Sequence, residues 1–308
     1  MLEKPNLFIV GAPKSGTTSL YEYLNLHPEV GMSSVKEPCY FASDFQSTKY
    51  PDSEEKYLSL FESDSSLRYL GEGSTTYLYS TKAAQEIADY CPNAKIIMML
   101  RQPTDLAVSL HAQRLKEGDE TIPDCEDAIK AEVKRANGDE VPANFHYPKE
   151  YLLYSEVPLY AEQIQRYLAR FPRGAIHVVL FEKFKDSPQR EFLKICRFLC
   201  IDPPIDLDLV HHNPGRIPKN IRLHRLLKKV VPYVVRFEKS TEAIFPKYIN
   251  DKFRALLRFG YGFNMSKGVK KVSDDFRSSL DEKYKQNILD IKQLLGAELA
   301  NDVDKYWR

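Results

Sequence analysis

The sequence predicts an α/β fold: a central parallel sheet flanked by helices in three layers, followed by a helical C-terminal extension. Three features carry that expectation. Short β-branched apolar runs alternate with helical patterns over residues 1–210, and parallel strands need such crossovers. A glycine-bounded loop joins the first run to the first helix. Beyond about residue 211 the strand signals cease and helical periodicity takes over. The 308 residues read as one domain, with 1–210 as the α/β core and 211–308 as its helical extension.

The elements follow in order. Leu7-Phe8-Ile9-Val10 is short, β-branched and bounded by Pro5 and Gly11, the pattern of a buried strand. A helical pattern through Leu20, Tyr23 and Leu24 follows, stopped by Pro28. Leu67 to Leu70 is a weaker strand signal. Lys95 to Leu100 is a strong one, and Pro103 suits the first turn of the helix after it. A helix over roughly 155–170 leads to a third strong strand, Ile176 to Phe181. The chain closes on a long helix from about Phe276 to Leu295.

Composition narrows the functional classes. The chain is 43% hydrophobic and 28% charged, ordinary for a soluble globular protein and unlike a disordered or collagen-like one. A net charge of +1 supplies no global field for a nucleic-acid partner, so none is expected. Five cysteines without a CxxC pair do not form a disulfide framework. Cys196 and Cys200, four apart, read as two small core residues on one helical face. A reducing, cytoplasmic compartment is the expectation. Neither a secretory leader nor an 18-residue apolar window is visible. No His/Cys/Asp cluster has metal-ligand spacing, so no metal is expected.

The loop Gly11-Ala12-Pro13-Lys14-Ser15-Gly16-Thr17-Thr18 carries the first chemistry. Between a strand and a helix, its backbone N–H groups and the helix N-terminus make an anion site. The fold is therefore of the P-loop type. The ATP-binding form is GxxxxGK[ST]. Here Thr17 stands where that lysine belongs, and Lys14 lies inside the loop, beside hydroxyls at Ser15, Thr17, Thr18 and Ser19. This departs from a Mg-nucleotide site and suits a smaller anion.

Pro13-Lys14-Ser15-Gly16-Thr17-Thr18 resembles the 5′-phosphosulfate loop of the sulfotransferases that use 3′-phosphoadenosine 5′-phosphosulfate (PAPS). Arg101-Gln102-Pro103, with Ser109 eight residues after Arg101, resembles that family's 3′-phosphate motif. The resemblance implies that residues 14–18, Arg101 and Ser109 bind PAPS and its product PAP. It also implies that Lys14 meets the charge growing on the leaving phosphate. Phe181-Glu182-Lys183-Phe184 looks like the family's late strand-loop segment, and Phe181 is its candidate adenine neighbour. Leu294-Leu295-Gly296 through Trp307 resembles the closing helix and tryptophan of carbohydrate-type members.

Sulfuryl transfer calls for a base to take the acceptor's proton. No histidine occurs between His27 and His111, so a histidine following the early strands is missing. Lys36-Glu37-Pro38-Cys39-Tyr40-Phe41 stands where the carbohydrate and heparan-type branch carries Lys-Glu and aromatics. The resemblance implies Glu37 as base and Lys36 as a second cation. Glu72 and Ser74, in Gly71-Glu72-Gly73-Ser74-Thr75-Thr76-Tyr77, are candidates to touch acceptor or donor, or to cap a helix. His111, Arg114, His146 and Tyr147 are lesser acceptor-facing candidates.

Between Asp208 and Glu238 lie seven basic residues and no acid. Arg216 and Lys219 occupy roughly the place of a loop that closes over the 3′-phosphate in relatives, which implies Lys219 as a cofactor ligand. The usual Arg-Lys-Gly signature is missing there. The 216–236 segment equally fits a solvated basic helix, peripheral contact with an anionic membrane, or an acidic glycan. The resulting expectation is a PAPS-dependent sulfotransferase acting on a hydroxyl, less often an amine, of a carbohydrate or glycolipid-type acceptor. A P-loop nucleotide kinase and a non-catalytic nucleotide- or glycan-binding module of the same fold are the alternatives.

Overall fold

The computed structural model describes residues 4–45, 51–62, 64, 66–143, 145, 147–204, 216–221, 223–224, 264–267 and 271–307. Five strands, β1 (Leu7–Gly11), β2 (Val30–Met32), β3 (Tyr69–Gly73), β4 (Lys95–Leu100) and β5 (Ile176–Leu180), form one parallel sheet in the order β2-β3-β1-β4-β5. Ile9 pairs with Gly73 on one side and Ile97 on the other. The chain is a three-layer α/β fold, as the alternation of runs and helices requires.

Side-chain alternation divides the core between the sheet's two faces. Leu7, Ile9, Ile97, Met99 and Val179 pack beneath α1 (Thr17–Asn25) and a later helix, Pro188–Leu199. Phe8, Val10, Ile96, Met98 and Leu100 face the opposite layer. That layer contains helices Ala83–Tyr90, Pro103–Glu117 and Tyr160–Leu168. Ile291, Leu295, Val303 and Trp307 join the same cluster, so the C-terminal helices Asp274–Leu295 and Ala297–Tyr306 lie on this core. The helix over Pro103–Glu117 begins with Gln102 accepting from Asp105 N at 2.7 Å. Its N-terminal turn is braced by the long helix, through Arg277 to Asp105 at 2.9 Å and Thr104 to Asp281 at 2.5 Å.

Several boundaries differ from the sequence reading. The strand expected at 67–70 runs over Tyr69–Gly73 instead. Its glycines obscure the pattern but are needed by packing: a Cβ on Gly71 would lie 2.6 Å from Met32 Sδ. The third strong strand stops at Leu180, and Phe181 opens a short helix, Phe181–Asp186. The helix expected at 155–170 is Tyr160–Leu168, because Pro158 disfavours a helical residue before it. Cys196 is core, but Cys200 is exposed and closes its helix at φ 54°. After residue 211 there are strands after all: Arg216–Pro218 pairs antiparallel with Met265–Lys267. Three-residue strands are too short to show a period of two.

Candidate active site

A cleft of about 730 Å³ opens at the C-terminal edge of the sheet, where open α/β sheets place their ligands. The turn after β1 forms its floor. Lys14 and Gly16 adopt left-handed conformations, φ 59° and 82°. Gly16 precedes α1 without a side-chain cap, leaving the first N–H groups of that helix to meet an anion. A Cβ on Gly16 would lie 3.1 Å from the Phe181 ring. Glycine therefore satisfies both the backbone and the close approach.

Pro13, Lys14, Gly16, Thr17, Thr18, Glu37, Arg101, Ser109 and Phe181 all line this one cleft. They come from four separate stretches of sequence. Ser15 does not line it: the residue is buried, and its hydroxyl donates to Pro13 O at 3.2 Å. Its part in the loop is to hold the turn. Arg101 leaves the end of β4, donates from Nη1 to Lys14 O at 3.1 Å and lies 5.0 Å over the Phe181 ring. The buried Arg101 Nε has no hydrogen-bond partner, an orphan donor that an anion would satisfy. Burial, then the charges of Lys116 and Arg101, lower the pKa of Lys14 below the ordinary lysine range. Such a site gains from a negative ligand.

The backbone after Arg101 is fixed by residues the sequence did not single out. Tyr160 OH donates to Arg101 O at 3.1 Å. Gln102 N donates to Glu182 Oε1 at 2.9 Å, and Trp307 Nε1 donates to the other oxygen of that carboxylate at 3.0 Å. The closing tryptophan thus supports the Arg101 side of the cleft through Glu182.

Glu37 sits on the opposite rim, at φ 60°, its N–H donating to Gly73 O at 3.1 Å. Lys36 does not itself line the cleft; its ammonium pairs with Glu37 Oε1 at 2.7 Å. Beyond Glu37 the wall is aromatic. Phe45, Tyr79 and Tyr151 line it, with Phe45 and Tyr79 stacked at 5.6 Å and Phe45 and Tyr151 5.7 Å apart. Arg114 also lines it, paired with Glu117 at 2.6 Å and resting 5.3 Å over Tyr151. Tyr147 packs on the same guanidinium at 5.4 Å. Nothing in the local sequence around Phe45 or Tyr151 announces this wall.

Other candidates lie elsewhere. His111 is buried and shares a hydrogen bond with Ile122 O at 2.9 Å. With exposed Lys219 it lines a second cavity, of about 510 Å³, away from the phosphate loop. Lys219 thus stands apart from the cleft that holds Arg101. Glu72 and Ser74 are fully buried and line neither of these two cavities, and Ser74 caps no helix among the described residues. His146 and most of the basic 216–236 segment lie outside the described residues.

Comparison with known proteins supplies an independent view. Residues 4–214 match the sequence model of the sulfotransferase domain family. The chain is similar to the human bifunctional heparan sulfate N-deacetylase/N-sulfotransferase 2, 29% identical over 217 residues, covering 65% of this chain and 22% of that protein. It thus spans about a fifth of that curated relative's length. A membrane-associated sulfotransferase of Dictyostelium discoideum is 35% identical over 108 residues, covering 34% of this chain and 22% of that protein. Among solved structures, a sulfotransferase from Alicyclobacillus acidocaldarius is 30% identical with a TM-score of 0.61, covering 78% of this chain and 96% of the other.

Proposed function

The chain belongs to the sulfotransferase domain family, and on that premise we propose that it transfers a sulfuryl group from PAPS to a carbohydrate-type hydroxyl, with Glu37 as general base. The observation that supports this most is the single cleft shared by the phosphate loop, Arg101, Ser109 and Glu37. The residues suit the donor. The 13–18 loop offers backbone N–H groups to the 5′-phosphate, and Arg101 Nε with the Ser109 hydroxyl offers donors to the 3′-phosphate. PAPS is a substrate here, and the chemistry it brings is an activated sulfuryl group.

In the reaction the acceptor oxygen bonds to sulfur as the bond from sulfur to the 5′-phosphate oxygen breaks. The acceptor's proton passes to a Glu37 carboxylate oxygen. Charge growing on the departing phosphate is met by Lys14, a transition-state interaction. The Lys36 ammonium lies 2.7 Å from Glu37 Oε1, beside the carboxylate that takes the proton. Phe45, Tyr79 and Tyr151 give an aromatic wall that suits the C–H face of a sugar ring. We read residues 1–308 as one domain, since Trp307 and Ile291 belong to the main core. Five free thiols support a cytoplasmic compartment. Among the described residues no helix is long and apolar enough to cross a membrane.

The test is nucleotide affinity against rate. With chelator present, PAP raises the melting temperature more than adenosine 5′-phosphate does, because a ligand that binds only the native state stabilises it. Glu37→Gln keeps PAP affinity and loses roughly 10²–10⁴ in turnover, the range for a positioned base. Equal stabilisation by the two nucleotides removes Arg101 and Ser109 from their role. Intact PAP affinity in a chain that sulfates nothing identifies a binding module instead.

A further inference from the structure

Behind the Glu37 rim lies a buried carboxylate that the transfer reaction does not touch. Glu72, on β3, has no exposed surface. It accepts three hydrogen bonds: Tyr57 OH and Tyr77 OH on Oε1, each at 2.7 Å, and Ser74 Oγ on Oε2 at 2.6 Å. No cation is among these partners. Burial pushes its carboxyl up to about 7, against those three donors.

Each donor leads to the turn that follows Glu37. Ser74 Oγ accepts from Cys39 N at 3.0 Å, and Tyr77 OH accepts from Phe41 N at 3.3 Å. The Tyr57 ring stacks on Tyr40 at 4.3 Å and meets Phe41 edge-on at 5.4 Å. Glu37 itself is bonded to Gly73 O, one residue from Glu72. The turn needs such holding. Glu37 and Cys39 are both left-handed, φ 60° and 55°, a conformation that side-chain sterics disfavour in a non-glycine residue. Direction matters as well as contact. A hydroxyl has one proton; when it is given to Glu72, the oxygen lone pairs are left for the backbone N–H. In its ionised form Glu72 only accepts, and so sets both relays to receive the N–H groups of Cys39 and Phe41.

We propose that Glu72 is a positioning residue for Glu37: through Ser74, Tyr77 and Tyr57 it sets the backbone of residues 37–41 and so aims the Glu37 carboxylate into the cleft. This rests on the reading of Glu37 as the base. In a Glu72→Gln chain an amide N–H faces Ser74, whose hydroxyl must turn away, and the hold on Cys39 N weakens. Among the described residues Lys14, Arg101 and Ser109 share no hydrogen bond with this network.

Two measurements test it in Glu72→Gln, and in Ser74→Ala should that chain not fold. The first needs no acceptor. Cys39, Cys125 and Cys196 are all buried thiols; iodoacetamide labelling read by peptide mass spectrometry should rise at least tenfold at Cys39 alone. Protection unchanged at Cys39, or all three rising together, overturns the proposal. The second is single-turnover release of PAP from PAPS, with 4-nitrophenyl β-glucoside or water as the acceptor. Glu72→Gln should lose roughly 10- to 100-fold, the scale of an ångström misplacement, with PAP affinity unchanged. Added to Glu37→Gln, it should cost nothing further, because a group acting only through Glu37 has no effect once the base is gone. A second, multiplicative loss in the double variant means general structural support and refutes positioning while leaving Glu37 as base. An unimpaired Glu37→Gln chain instead refutes the reading of the base, and the positioning role with it.

Discussion

Replacing Gly16 by alanine should damage the phosphate loop in two separable ways. The residue sits at φ 82°, where a Cβ costs about 1–2 kcal/mol. The new methyl would also lie 3.1 and 3.3 Å from two Phe181 ring carbons and 3.4 Å from Met99 Cε. Met99 is fully buried, and the Phe181 ring supports the Arg101 guanidinium at 5.0 Å. Overpacking of this kind costs roughly 1–3 kcal/mol, so the sum is about 2–5 kcal/mol. Gly138 supplies the control: its φ is 91°, and nothing lies within 4 Å of its would-be Cβ. Gly138→Ala thus carries the backbone cost alone. Urea unfolding of both variants should show Gly16→Ala less stable than Gly138→Ala by about 1–3 kcal/mol. Calorimetry with PAP, at a temperature where both are folded, should show at least tenfold weaker binding for Gly16→Ala only. Equal destabilisation, or unchanged PAP affinity in Gly16→Ala, refutes the claim that the ring contact couples the loop to Arg101.

Two further outcomes follow from the same geometry. Lys14→Ala should reduce turnover by about 10²–10³, as for loss of one transition-state donor, and reduce PAP affinity less; stopped-flow turnover beside calorimetry checks it, and equal losses would make Lys14 a ground-state ligand only. Stability should depend on pH through Glu72: its folded carboxyl is raised from 4.5 to about 7, so the folded chain holds a proton that the unfolded chain releases. That stabilisation is full below pH 4.5 and is lost as pH rises to about 7, a change of about 3 kcal/mol. His111 and His177, both lowered by burial, push the opposite way over acid pH, so the measurement is the difference between wild type and Glu72→Gln in urea melts at pH 5 and pH 8. The variant should gain on the wild type with pH; a constant gap removes the linkage.

What was legible in the sequence follows the range of the interactions involved. β1, β4 and the loop after β1 are local patterns: buried parallel strands read as continuous apolar runs, and a phosphate loop is a contiguous string of residues. β3 was displaced because Gly71 and Gly73 answer to packing against Met32 and Tyr21, contacts formed across the sheet. Cys200 read as helical because four-residue spacing is helical, yet a left-handed C-cap ends that helix one residue earlier. The aromatic wall was hidden for a similar reason. Phe45, Tyr79 and Tyr151 are more than 30 and 70 residues apart in sequence and meet only once the sheet orders their loops.

Glu72 shows the limit most sharply. In sequence it stands between two glycines, beside hydroxyl residues, in a segment that resembles a cleft lining, and so it drew a ligand-facing expectation. In the fold β3 runs behind the rim, and its alternation turns Glu72 away from the cleft and toward Tyr57 and Tyr77. A buried carboxylate with no cation is costly and survives only when its hydrogen bonds are complete. Here three hydroxyls donate to it, and two of them, on Ser74 and Tyr77, accept in turn from N–H groups of the turn that carries Glu37. The two halves of the cleft are thereby built on different principles. The half proposed for the nucleotide presents backbone N–H groups and an arginine at the ends of β1 and β4. The half proposed for the acceptor rests on a turn with two left-handed residues, bonded from behind to the Glu72 network, so it is the half that substitution behind the rim should alter without loss of nucleotide affinity.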